Sequence, residues 1–239
     1  MNIYVDRSNE SWSYRRVIDA LERYKPSTIT FTDQSSADLA ILIINGRQDK
    51  YKRTIEYLDM PYTVIQFCVR STMRPETGGW LPIWKGAKVV WSYLDLETLC
   101  YEDDNDADFK FYHAPLGVDP KVFKPLGIKR DYLVATTGLS YLSESVKEAI
   151  LAGKAVDGKV FHLGSNLKVP GVTYGVGISD TELAVWYNSC RFVSGLRRTE
   201  GFELPVIEGL LCGARPIVFD RLHYRQWFSD FAVFIPETD

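Results

Sequence analysis

Residues 204 to 213 read Leu204-Pro205-Val206-Ile207-Glu208-Gly209-Leu210-Leu211-Cys212-Gly213, and Glu208 is the one charged group in that run. A carboxylate in a short apolar helix must find hydrogen-bond donors, because burying it unpaired costs several kcal/mol. Pro205 suits a first helical turn, and Gly213 suits the left-handed position just past the last one. The spacing therefore predicts a helix over Pro205–Cys212. Just upstream lies Glu200-Gly201-Phe202-Glu203, which puts Glu200 seven residues short of the position before Glu208. One acid sits in a glycine-containing loop and the other in the helix that follows. The helix opens directly on the loop, and its unpaired N–H groups and partial positive charge suit a phosphate.

The block Phe192 to Asp220 resembles the signature of retaining nucleotide-sugar glycosyltransferases of the two-domain GT-B architecture, the large group that includes sucrose-phosphate synthases and bacterial mannosyltransferases. The resemblance rests on the strand at Phe192–Ser194, the loop Glu200-Gly201-Phe202, the Leu204-Pro205 helix and the strand up to Asp220. Gly117-Val118-Asp119 with Val122-Phe123-Lys124-Pro125, and Ile178-Ser179-Asp180 with Glu182-Leu183, resemble the flanking parts of the same donor domain. It covers the second half of the chain. What it implies is an α/β fold of two Rossmann-like domains facing across a cleft: residues 1–112 on the acceptor side and residues 113–239 holding the nucleotide sugar.

Alternation of short apolar strands with helical patterns agrees with parallel α/β domains. Strands are expected near Asn2–Val5, Thr28–Phe31, Leu39–Ile44, Tyr62–Phe67, Lys88–Trp91 and Phe109–His113. In the second half they are expected near Tyr132–Thr136, Val160–Leu163, Val172–Tyr174, Cys190–Ser194, Pro216–Phe219 and Val233–Ile235. An amphipathic helix with Val17, Ile18, Leu21 and Tyr24 on one face follows the first strand. Helices near Ser143–Ala152, Asp180–Asn188, Pro205–Cys212 and Leu222–Phe228 complete the second half. The domain junction is read at the acidic stretch Glu102–Asp108 and the Pro- and Gly-marked segment Pro115–Pro125.

The resemblance also implies roles. Glu208 would accept hydrogen bonds from the ribose hydroxyls; its alternative is a buried ion pair with Arg197, Arg198 or Arg215. Glu200 would face the transferred sugar and the charge developing at its anomeric carbon, or else be a surface loop acid. Gly138, Gly201, Phe202, Glu203, Leu204 and Pro205 would line the donor site. The group usually places an Arg and a Lys after the glycine matched here by Gly138, yet Leu139 and Glu144 stand there. Arg197 and Arg198 are the nearest replacements to neutralise the leaving diphosphate, and Lys147 is a more distant one. Trp12, Tyr14 and Arg70 are candidates for the acceptor side, where the group's usual glycine-rich loop and histidine are missing, although packing explains them equally well.

The 239 residues carry 28 Lys and Arg against 31 Asp and Glu, a net charge of −3, split 14 against 17 through Tyr112 and 14 against 14 beyond it. Neither half is basic enough to announce nucleic acid. Asp104, Asp106 and Asp108 alternate as in a calcium loop, but Phe109 and Pro115 occupy positions that such a loop gives to Gly and Glu, so a solvated linker is expected and no metal. Cys68, Cys100, Cys190 and Cys212 lack metal or redox spacing, and no apolar run approaches a membrane span, so a cytoplasmic protein with reduced thiols is expected. The expected activity is transfer, with retention and without metal or other cofactor, of a sugar from a nucleotide diphosphate sugar to a hydroxyl of a glycan, lipid or small molecule. A modified nucleic acid as acceptor, and a catalytically idle nucleotide-sugar-binding or interaction protein, are the two alternatives. The oligomeric state is left open.

Overall fold

The computed structural model describes residues 1–7, 12–44, 54–67, 77–93, 110–138, 145–164, 168–197 and 203–237. The chain divides into two units, Met1–Pro115 and Leu116–Asp239. Each is built on a six-stranded sheet whose neighbouring strands all run parallel.

In the first unit the strands are β1 (Asn2–Val5), β2 (Thr30–Phe31), β3 (Leu39–Ile44), β4 (Tyr62–Gln66), β5 (Val90–Ser92) and β6 (Phe111–His113), ordered β2-β1-β3-β4-β5-β6. The run Leu-Ala-Ile-Leu-Ile-Ile of β3 is nearly continuously apolar, as a strand covered on both faces must be, and Ala40, Leu42 and Ile44 are fully buried. Helix α1 (Trp12–Tyr24) buries Ile18, but Tyr24 is 68% exposed with the Arg23 guanidinium 5.7 Å from its ring, so the apolar face is narrower than its sequence suggests. Strand β2 starts at Thr30 rather than Thr28, because the Ile29 N–H turns back to the Pro26 carbonyl.

Helix α2 (Thr77–Gly86) was not expected, and its Gly-rich, Pro82-containing sequence explains why. Tertiary contacts hold it: Trp80, Ile83 and Trp84 are buried, the Trp84 indole donates to Gln66 Oε1 at 3.1 Å, and the Tyr62 hydroxyl donates to the Ile83 carbonyl at 2.8 Å. A side chain at Gly86 would run into that hydroxyl, its Cβ 2.2 Å away.

The second unit has β7 (Tyr132–Gly138), β8 (Val160–Gly164), β9 (Val172–Gly175), β10 (Cys190–Gly195), β11 (Arg215–Phe219) and β12 (Val233–Ile235), ordered β12-β11-β10-β7-β8-β9. Counted from its own first strand this is the 3-2-1-4-5-6 order of a dinucleotide-binding Rossmann sheet, and the strand order reverses between β7 and β10. Its helices are α3 (Val146–Ala155), α4 (Asp180–Asn188), α5 (Leu204–Leu211) and α6 (Leu222–Phe228). Helix α4 opens with a capping box: the Ser179 hydroxyl accepts from the Glu182 N–H, and Glu182 Oε2 accepts from the Ser179 N–H at 2.7 Å. One core gathers Phe123, Phe161, Leu183, Tyr187, Cys190, Val193 and Cys212; another joins Val206, Val218, Tyr224 and Phe228.

The division falls after Pro115, because Tyr112 is the middle residue of β6, which pairs with β5. The acidic stretch 102–108 lies outside the described residues. The segment after the division belongs to the second unit: Phe123 is 1% exposed in its core. Asn188, at the end of α4, donates to the Lys124 carbonyl at 2.9 Å and accepts from the Leu126 N–H at 2.8 Å.

Candidate functional site

Ligands of open α/β sheets bind beyond the carboxyl ends of the strands where the order reverses, which here means beyond β7 and β10. Strand β7 ends in Thr136, Thr137 and Gly138; Thr136 and Thr137 are buried. Strand β10 runs out at Gly195, after which the Leu196 carbonyl accepts from the Ser145 N–H at 3.0 Å. That bond draws the start of α3 to the end of β10, so the helix after each of the two strands begins at the switch point.

Arg197 crosses the gap between them. Its Nη2 donates to the Thr137 carbonyl at 2.7 Å and also to the Thr137 hydroxyl. Its Nε stands 3.0 Å from Glu203 Oε2, with the two side chains 11% and 2% exposed. The other oxygen, Glu203 Oε1, accepts from the Tyr224 hydroxyl at 3.3 Å. Glu203 occupies the N-cap of α5, but its carboxylate does not cap the helix; it is spent on Arg197 and Tyr224. The first turn of α5 thus begins with no side-chain acceptor of its own residue and with Pro205, which lacks an N–H.

Glu208 lies one turn further on and is 1% exposed. Its Oε2 accepts from the Tyr187 hydroxyl of α4 at 3.4 Å. Of the arginines considered as its partners, Arg197 is paired with Glu203, Arg215 is exposed at the start of β11, and Arg198 lies outside the described residues. Helix α5 is pressed close to β10, because a Cβ at Gly209 would stand 2.6 Å from Val193 Cγ1. At its far end Gly213 has φ +81°, and Arg130 Nη2 donates to the Cys212 carbonyl at 3.1 Å, a cation at the negative end of the helix. Cys190 and Cys212 are free and buried; burial pushes their thiols up to about 12 and about 11, so both stay protonated.

No sequence family matches the chain, and no curated protein matches it. Solved structures do. The sucrose-phosphate synthase of Thermosynechococcus elongatus superposes with a TM-score of 0.67 at 15% identity, over 99% of this chain and 68% of its own. Anabaena HepE, solved in complex with UDP and glucose, gives 0.68 at 11% identity, over 100% and 86%. The pneumococcal O-GlcNAc transferase GtfA, in complex with UDP and GlcNAc, gives 0.65 at 12% identity, over 95% and 49%. The chain has the GT-B glycosyltransferase fold.

Within the second Rossmann-like unit of this GT-B fold, the structure brings Gly138, Arg197, Glu203, Leu204 and Pro205 to the switch point, with Glu208 one turn inward. Arg198, Glu200, Gly201 and Phe202 lie outside the described residues, as does Arg70; Trp12 and Tyr14 are placed only as backbone of α1. Thr137, Tyr187 and Tyr224 were not among the residues singled out from sequence. Each acts as a partner of a charged group from another element, and no local spacing marks such a partner. His162, on β8, is buried with Nδ1 2.8 Å from the Thr136 hydroxyl. Among the described residues no group of three or more His, Cys, Asp or Glu is arranged to hold a metal ion, and no helix is long and apolar enough to cross a membrane.

Proposed function

We propose that the chain is a retaining glycosyltransferase that moves a sugar from a nucleotide diphosphate sugar to a hydroxyl acceptor. The observation that carries this reading is the start of α5 at the switch point: a helix N-terminus whose N-cap carboxylate is turned to Arg197 and Tyr224, so that the partial positive charge of the helix is not met by a carboxylate cap of its own, although the Val206 and Ile207 N–H groups reach the Glu203 carbonyl. In this reading the donor diphosphate lies on the first turn of α5, where the partial positive charge of the helix favours it. Glu208 takes the ribose hydroxyls, and Gly138, Gly201 and Phe202 bring backbone close to the donor. Glu200 faces the sugar and the positive charge that develops at its anomeric carbon. The acceptor hydroxyl attacks on the face the diphosphate leaves, and a phosphate oxygen takes its proton, so neither a protein base nor a metal is required. Trp12, Tyr14 and Arg70 are the proposed acceptor contacts.

The test is a thermal-shift screen against UDP-, GDP- and ADP-sugars, because a ligand that binds only the folded state raises its melting temperature. No shift with any of them defeats the reading. Glu208→Gln is expected to weaken donor binding by about 1–3 kcal/mol, the scale of hydrogen bonds to a charged group, with the fold intact. Calorimetric titration checks it, and wild-type affinity in a folded variant removes Glu208 from the ribose.

Arg197 is already matched by Glu203, which leaves Arg198 as the signature-loop cation for the departing diphosphate. Arg198→Ala is expected to lower kcat by more than about tenfold, roughly 1.4 kcal/mol of transition-state stabilisation. Full turnover in that variant moves the role elsewhere. The same matched charge favours a second reading, a nucleotide-sugar-binding protein without turnover. Donor binding with neither transfer nor donor hydrolysis would select it.

A further inference from the structure

We infer that Arg197 serves the donor site as a positioning residue that acts through Glu203, rather than as a counter-charge for the diphosphate; this rests on the donor-binding reading above. Two of its three guanidinium nitrogens already meet protein groups. Nη2 is held by the carbonyl and hydroxyl of Thr137 at the end of β7, and Nε lies 3.0 Å from Glu203 Oε2 in an ion pair whose geometry is not that of a hydrogen bond. Tyr224, fully buried on α6, holds the remaining Glu203 oxygen. Four elements are thereby tied at one point: β7, the stretch just after β10, the N-cap of α5, and α6. The packing leaves the carboxylate stem little room to move, since a Cβ at Gly195 would lie 3.3 Å from Glu203 Cγ and 2.3 Å from Val206 Cγ2.

The electrostatics agree with the geometry. A guanidinium with a carboxylate 3.0 Å away presents an arriving anion with a dipole, whose attraction falls off faster with distance than that of a single charge. The side chain is also 11% exposed, which leaves little of it to meet a ligand. What the pair does control is where α5 begins. Glu203 is the N-cap, so its hold on Arg197 fixes the first turn of the helix against the end of β7. Displacing a binding group by about 1 Å is enough to cost roughly a hundredfold in rate.

The two roles predict opposite signs for one substitution. If Arg197 were the phosphate cation, Glu203→Gln would release its charge and tighten nucleotide binding. As half of a positioning pair, it is lost when either member is lost. UDP, with GDP and ADP alongside, is titrated into the wild type, Arg197→Gln, Glu203→Gln and the double variant, with melting curves to confirm folding. The expected result is a loss of about tenfold or more in affinity for each single variant and no further loss beyond about threefold in the double, because residues acting as a unit are not additive. Tighter binding by Glu203→Gln, or losses that multiply in the double variant, would overturn the inference. Arg197→Lys covers the case in which the glutamine variants do not fold: it keeps the charge but lacks the fork that spans Thr137 and Glu203, so a weakening of about fivefold or more is expected and wild-type affinity overturns the inference. A wild type that binds none of the three nucleotides overturns the donor reading itself, and this inference with it.

Discussion

Glu203→Ala is expected to lower the free energy of unfolding by about 3–5 kcal/mol, because it strands the Arg197 guanidinium in a nearly closed site with no carboxylate to face. Tyr224 loses its acceptor in the same step, which adds to the cost. Urea denaturation followed by far-UV circular dichroism measures it. The double variant Arg197→Met, Glu203→Met should recover much of the loss, since replacing both members of a buried pair by apolar side chains is often close to neutral. A drop below about 1 kcal/mol for Glu203→Ala would place the pair among solvated surface bridges such as Lys129–Asp131, whose side chains are 87% and 49% exposed.

Gly164→Ala is expected to cost about as much, roughly 3–5 kcal/mol, from two sources. Gly164 closes β8 opposite Gly138 with φ +143°, a backbone conformation that alanine reaches only under strain. A Cβ there would lie 1.9 Å from the Gly138 carbonyl oxygen, and the obstacle is backbone that two parallel strands hold in register. The melting temperature should fall by several degrees, and UDP affinity with it, because Gly138 borders the switch point. Gly117→Ala is the control: a Cβ at that position meets nothing within 4 Å, and the melting temperature should hardly change. Equal stability of the two variants would contradict the observed pairing of β7 with β8.

Most of the architecture was legible in the sequence because it rests on local signals. The apolar run of β3, the capping box of α4, and Pro205 and Gly213 around α5 each fix an element from residues a few positions apart. Where the sequence misleads, long-range contacts decide. Thr-Gly-Gly-Trp-Leu-Pro-Ile-Trp carries Pro and Gly that disfavour a helix, yet α2 forms because two tryptophans and Ile83 are buried against the sheet. Tyr24 has the spacing of the buried face of α1 and is nonetheless exposed under Arg23. The candidate site divides along the same line. Glu208 stands out as an acid in an apolar helix, but its partner Tyr187 is 21 residues away, and the Thr137 that holds Arg197 is 60 away. Glu203 reads from sequence as a donor-site residue, and only the folded chain reveals that its carboxylate is engaged with Arg197 and Tyr224.

The segment between Leu116 and Leu126 has a bearing on how such a chain can be shuffled. It leaves the first sheet after β6, yet Phe123 is sealed in the second core and Asn188 grips the backbone on either side of Pro125. Recombination that exchanged the second unit at its first strand, at Tyr132, would separate Phe123 from the core it fills, a loss on the order of 3–5 kcal/mol by the measure of large-to-small core changes. An exchange made ahead of Leu116 carries plug, pocket and latch together. Descent by swapping different first units onto a common second unit is therefore open to this architecture only at that seam, and chimeras spliced there should inherit a second unit that closes its own core.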